Sequence, residues 1–91
     1  MTEGERVALT TEGLDAIARL GSDTLTDADL ARPVCGWQVM VMVFLLTVGQ
    51  RGLLPKSVPY MDRPAREEPA IMQELAEAIR SAVELTEAER T

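Results

Sequence analysis

The run Trp37-Gln38-Val39-Met40-Val41-Met42-Val43-Phe44-Leu45-Leu46-Thr47-Val48 decides the fold of this 91-residue chain. Its four valines favour a strand. A lone strand, however, has nothing to pair with. No other stretch reads as one, since Val7-Ala8-Leu9 is too short. The run is therefore expected as a helix, closed by Gly49 or Gly52. Wound as a helix it has no polar stripe, because Gln38 and Thr47 fall on nearly opposite sides. From Pro33 to Gln50 no side chain is charged. A helix that is apolar all round is expected to be buried all round.

Upstream, two helix starts are legible. In Leu9-Thr10-Thr11-Glu12-Gly13-Leu14, Thr10 can cap a helix while Leu9 and Leu14 occupy the positions of a hydrophobic staple. That helix is expected over Thr11 to Leu20, with Gly21 as a left-handed terminator and Leu14, Ile17, Ala18 and Leu20 as its apolar set. Leu25-Thr26-Asp27-Ala28-Asp29-Leu30 repeats the arrangement. Its two aspartates sit in the first turn, where the helix dipole favours negative charge. This second helix is expected to be short, from Asp27 to Arg32, because Pro33 breaks it.

Downstream, residues 50–68 read as a connector punctuated by Pro55, Pro59 and Pro64. Pro69 suits a first helical position. Ile71, Met72, Leu75, Ile79, Ala82 and Val83 then follow a three-four spacing to about Ala88. The fold class expected is all-α: one small domain over 1–91, with a tail at 1–9, three or four helices, a central apolar helix and a long amphipathic last one.

Composition narrows the function. The net charge is -6, and it is segregated. Residues 1–30 carry seven acids and two bases, residues 31–61 three bases and no acid, and residues 62–91 eight acids and four bases. An acidic chain repels phosphate, so nucleic acid is not an expected partner. A helix-turn-helix reading fails on the same ground, since the third helix offers base edges only Gln38, Thr47 and hydrocarbon. A winged-helix-like regulator with its contacts elsewhere ranks third among the readings, Arg51, Lys56, Arg63 and Arg66 being its only basic cluster.

The chain has no histidine, which removes the commonest general base and metal ligand. The single cysteine, Cys35, cannot form an internal disulfide or a cysteine-rich zinc site. With apolar neighbours and no base, it reads as a small buried hydrophobe. Asp23, Asp27 and Asp29 lack the glycine turn and the terminal glutamate of a calcium loop. No catalytic, cofactor-binding or metal-binding residue is assigned, no cofactor is expected, and the chain is not read as an enzyme. A pocket lined by Met40, Met42, Phe44 and Leu75 is the one place left open for a small ligand.

The expected function is that of a non-enzymatic protein-protein interaction module or small accessory subunit. It would pack helix on helix, with itself as a homodimer or with a larger protein. The central helix needs covering on every side, and the other helices cover about two. The core is therefore expected to continue across a partner boundary at Val41, Phe44, Leu45, Val48, Leu75, Ile79 and Val83. The alternative is a small membrane-associated subunit anchored by 34–48. That run spans about 22 Å as a helix, short of the roughly 30 Å of a hydrocarbon core. The acidic N-terminus is followed by no apolar stretch within twenty residues. Together with the lone cysteine it gives the cytoplasm as the expected location.

Overall fold

In the computed structural model, residues 6, 7, 9–53 and 61–90 are described, with the side chains of 89 and 90 left aside. Four α-helices can be traced end to end: α1 (Thr11–Ser22), α2 (Asp27–Ala31), α3 (Val34–Thr47) and α4 (Pro69–Arg90). Single 3-10 turns lie at Arg51–Leu53 and Ala65–Glu67. No strand occurs among the described residues. Among the same residues an isolated β-bridge joins Pro33 to Pro64. The protein is all-α, and its radius of gyration, 12.3 Å, is that of a closely folded chain of this length.

Both expected caps form. Thr10 Oγ1 accepts from Gly13 N at 3.1 Å and starts α1. Thr26 Oγ1 accepts from Asp29 N at 3.2 Å, and Asp29 returns a bond to Thr26 N at 3.0 Å, a reciprocal box that starts α2. The end of α1 lies two residues beyond its expected place. Gly21 is inside the helix, and Asp23, at φ 59° and ψ 41°, supplies the left-handed terminator. Gly21 serves a different purpose, because a Cβ there would meet Ile79 Cγ2 at 3.1 Å. It lets α1 lie close against α4, and its carbonyl accepts from Arg80 Nη1 at 3.2 Å.

Asp29 binds three helices together. Its carboxylate accepts from Arg19 Nε at 2.7 Å and from Arg19 Nη2 at 2.9 Å, a two-pronged pair between α2 and α1. Its backbone carbonyl accepts from the buried indole Nε1 of Trp37 on α3 at 3.0 Å. Trp37 in turn lies under the Arg32 guanidinium, 5.5 Å from the ring centre.

The start of α3 has no side-chain cap, since Pro33 precedes it. Its free N–H groups are met from a distant part of the chain. Val34 N donates to Arg63 O and Cys35 N to Met61 O, both at 2.7 Å, while Ala65 N donates back to Arg32 O at 2.9 Å. Residues 61–65, inside the stretch expected to be a connector packed along the surface, form a strap across the N-terminus of α3. Residues 54–60, including Lys56, lie outside the described part. At its other end α3 closes as expected on Gly49 (φ 79°), with Gln50 N donating to Leu45 O at 2.8 Å.

The core gathers Ala16, Ile17 and Leu20 of α1, Trp37, Met40, Val41 and Leu45 of α3, and Met72, Leu75, Ala76, Ile79 and Ala82 of α4. Within the one chain α3 is not buried all round. One side of it is covered by α1, α4 and the 3-10 turn at Arg51–Leu53, while on the opposite side Cys35 and Val39 are half-buried and Met42 and Leu46 are exposed.

Two outcomes follow from this packing. Replacing Gly21 with Val puts three extra carbons against Ile79. It is expected to lower stability by about 1–3 kcal/mol in urea unfolding, despite the better helix propensity of Val. For Asp29, the hydrogen bonds from Arg19 hold the carboxyl at about 2 against an ordinary 3.8, burial opposing and Thr26 assisting. The folded value lies below the unfolded one, so the stabilisation is complete above the unfolded value and is lost as pH falls through the folded value. Asp29→Asn is expected to cost about 2 kcal/mol at neutral pH. It should also flatten the acid limb of a stability-pH curve between about pH 4 and pH 2.

Candidate functional site: the outer face of the apolar helix

Helical spacing divides α3 into two apolar faces. Val34, Trp37, Val41 and Leu45 point into the core and are fully buried. On the other side Cys35, Val39, Met42 and Leu46 follow one another at intervals of four, three and four residues, which lines them up in a narrow strip. Cys35 and Val39 are half-buried, whereas Met42 is 38% and Leu46 43% exposed. The strip carries no charge along its length. Its near neighbours are Gly36, Gln38 and Val43, also uncharged. Gln38 Oε1 accepts from Met61 N at 3.4 Å, so the strap borders the strip at its N-terminal end.

The residues expected to form a shared core divide differently. Val41, Leu45, Leu75 and Ile79 are buried within the one chain, at 0 to 2% exposure, which leaves a partner no surface there. Phe44 and Val48 are half-buried and pack on the same core. Val83 is 43% exposed. It forms a ridge between two shallow grooves. One, of about 420 Å³, runs between α1 and α4 past Ala18, Gly21 and Arg80. The other, of about 170 Å³, lies between α3 and α4 past Phe44, Val48 and Thr86. The pocket left open by the sequence does not assemble, since Met40 and Leu75 are core residues while Met42 faces outward.

The polar candidates are placed as structural parts. Asp29 is bound to Arg19, Asp23 ends α1, and among the described residues no group of three acids or cysteines could hold a metal ion. Arg63 pairs with Glu68 at 3.4 Å. Cys35 is less buried than expected. It sits outside the core, its Sγ 4.0 Å from Asp62 Oδ1, at the end of the outer strip. Among the described residues no helix is long and apolar enough to cross a membrane.

Sequence reasoning found the helix that carries this strip but assigned its apolar residues to one undivided core. The signal that separates them is the relation of each residue to Trp37. Residues 37, 41 and 45 recur on one side, and 35, 39, 42 and 46 on the other. No protein-family profile matches the chain, and no curated protein or solved structure matches it either.

Because Cys35 lies outside the core cluster, Cys35→Ser is expected to fold and to lose less than about 1 kcal/mol of stability. Chemical denaturation of the two proteins side by side measures this. A loss of several kcal/mol would place the thiol in the core after all.

Proposed function

We propose that this protein is a non-enzymatic interaction module that acts by packing the outer face of α3 against another helix. The observation that supports the reading is the strip Cys35-Val39-Met42-Leu46. It is an uncharged apolar line on a helix whose opposite side already fills the core. Scattered exposed apolar residues are ordinary on a protein surface, but an aligned row at seam spacing is the pattern that helix pairing uses. The chain's acids lie outside residues 31–61, so the strip belongs to the one neutral-to-basic stretch of an otherwise acidic protein. The strip itself holds no cation to neutralise a phosphate backbone, so it suits a protein partner better. The reading places the protein in the cytoplasm, supported by its single half-buried thiol.

The reading requires the strip to be open in the isolated chain. Hydroxyl-radical footprinting at about 1 µM, where weak complexes are dissociated, compares two neighbouring methionines of the same helix. Met42 is expected to oxidise readily, and fully buried Met40 slowly. Met42→Glu is expected to unfold within about 0.5 kcal/mol of the parent, as an exposed substitution does. Equal protection of Met42 and Met40, or a variant that unfolds several kcal/mol earlier, would mean that the chain covers this face itself and would overturn the reading.

A further inference from the structure

We infer that the partner is a second copy of this chain, docked with its α3 antiparallel to the first across a two-fold axis. This rests on the reading of the strip as a docking face and adds who occupies it.

Three observations carry the inference. The spacing four, three, four is the same read in either direction. A two-fold axis crossing the strip midway between Val39 and Met42 therefore brings every strip residue opposite another. Cys35 faces the second copy's Leu46, and Val39 faces its Met42. Each of the four layers then joins a smaller side chain to a larger one, which fills the space between two helices evenly. A parallel pairing would set Cys35 on Cys35 and Leu46 on Leu46, leaving one end of the seam thin and the other crowded.

The second observation is electrostatic. Neither the strip nor its flanking positions Gly36, Gln38 and Val43 holds a charge, so two copies of a chain with net charge -6 meet where they do not repel. Charged flanks are what coiled-coil helices use to choose a different chain as partner, and none is present here. Antiparallel α3 helices also set the positive end of each helix dipole beside the negative end of the other.

The third concerns the ends. Asp62 lies 4.0 Å from Cys35 Sγ, at the N-terminal end of the strip. Reversal brings that end toward the C-terminal end of the second α3, beyond which Arg51 is exposed. Arg63, beside Asp62, is already bonded to Glu68. The arrangement therefore offers opposite charges at both ends of the seam. One 14-residue helix per copy makes a small contact, so the dimer belongs to the weak, concentration-dependent class.

Sedimentation of the intact protein from about 10 µM to about 1 mM, a range that brackets weak association, is expected to show a rising dimer fraction. Met42→Glu should remove it. Orientation is read by cross-linking. Under mild oxidation Leu46→Cys is expected to form a covalent dimer through Cys35 of one copy and the new thiol of the other. Adding Cys35→Ser to that variant should abolish the product. A covalent dimer that survives in Cys35→Ser/Leu46→Cys, or one that forms equally well in the parent through Cys35 alone, would indicate parallel packing and overturn the inference. A parent that stays monomeric throughout, while Met42→Glu unfolds like the parent, leaves the face open but removes the second copy as its occupant. A monomer in which Met42→Glu is also strongly destabilised overturns both this inference and the docking reading beneath it.

Discussion

The Asp29 carboxylate is nearly inaccessible to water, yet it remains charged because it is fully engaged. Two bonds from one guanidinium and one from the backbone of Thr26 satisfy its oxygens, while its own carbonyl holds the Trp37 indole. Taking a carboxylate out of water is costly unless such partners are present. The carboxylate is therefore stable only when α1 and α2 hold one relative position, and the buried Trp37 indole requires α3 to start beside the Asp29 carbonyl. That requirement sets the direction in which α3 leaves α2, and so which of its two apolar sides meets the core. Arg19 and Asp29 are ten residues apart, and Trp37 follows eight residues later. The first half of the chain thus orients itself largely through its own local contacts.

Much of this was legible in the sequence, for reasons that can be assigned residue by residue. Thr10 and Thr26 were read as caps because their hydroxyls solve a local problem, the free N–H groups of a helix start, that needs no knowledge of the rest of the fold. Pro69 and the spacing from Met72 to Ala82 were readable for the same reason. Gly21 was misread because a glycine near a helix end has two uses. It can bend the backbone, or it can let another helix approach, and only the position of Ile79 decides between them. The strap at residues 61–65 was invisible, since backbone groups bonded to backbone groups leave no trace in side-chain type. The reciprocal bond from Asp29 back to Thr26 and the pairing with Arg19 were likewise more than the dipole argument for an acid in the first turn could supply.

The central helix shows where hydrophobicity alone stops being informative. Fourteen residues with no preferred apolar direction fit burial on every side, and the other helices were seen to be too few for that. The deficit was read as a missing cover and was assigned largely to the side that α1 and α4 already fill. Val41, Leu45, Leu75 and Ile79 form a complete core within one chain. The unfilled side is the strip from Cys35 to Leu46, and its uncharged, evenly spaced character is what makes it a surface to be explained.

The strap has a consequence for how the chain assembles. The first N–H groups of α3 are completed only when Met61 and Arg63 arrive, after the whole of α3 and the turn beyond it have been traversed. Closing a loop of that length carries an entropic cost that local caps such as Thr10 do not incur. The α1–α2 hairpin can therefore order early, while the beginning of α3 waits on the second half of the chain. Pro33, which denies α3 a local cap, in this way ties the two halves into one cooperative unit: neither the start of α3 nor the lead-in to α4 is fully hydrogen-bonded unless both are in place.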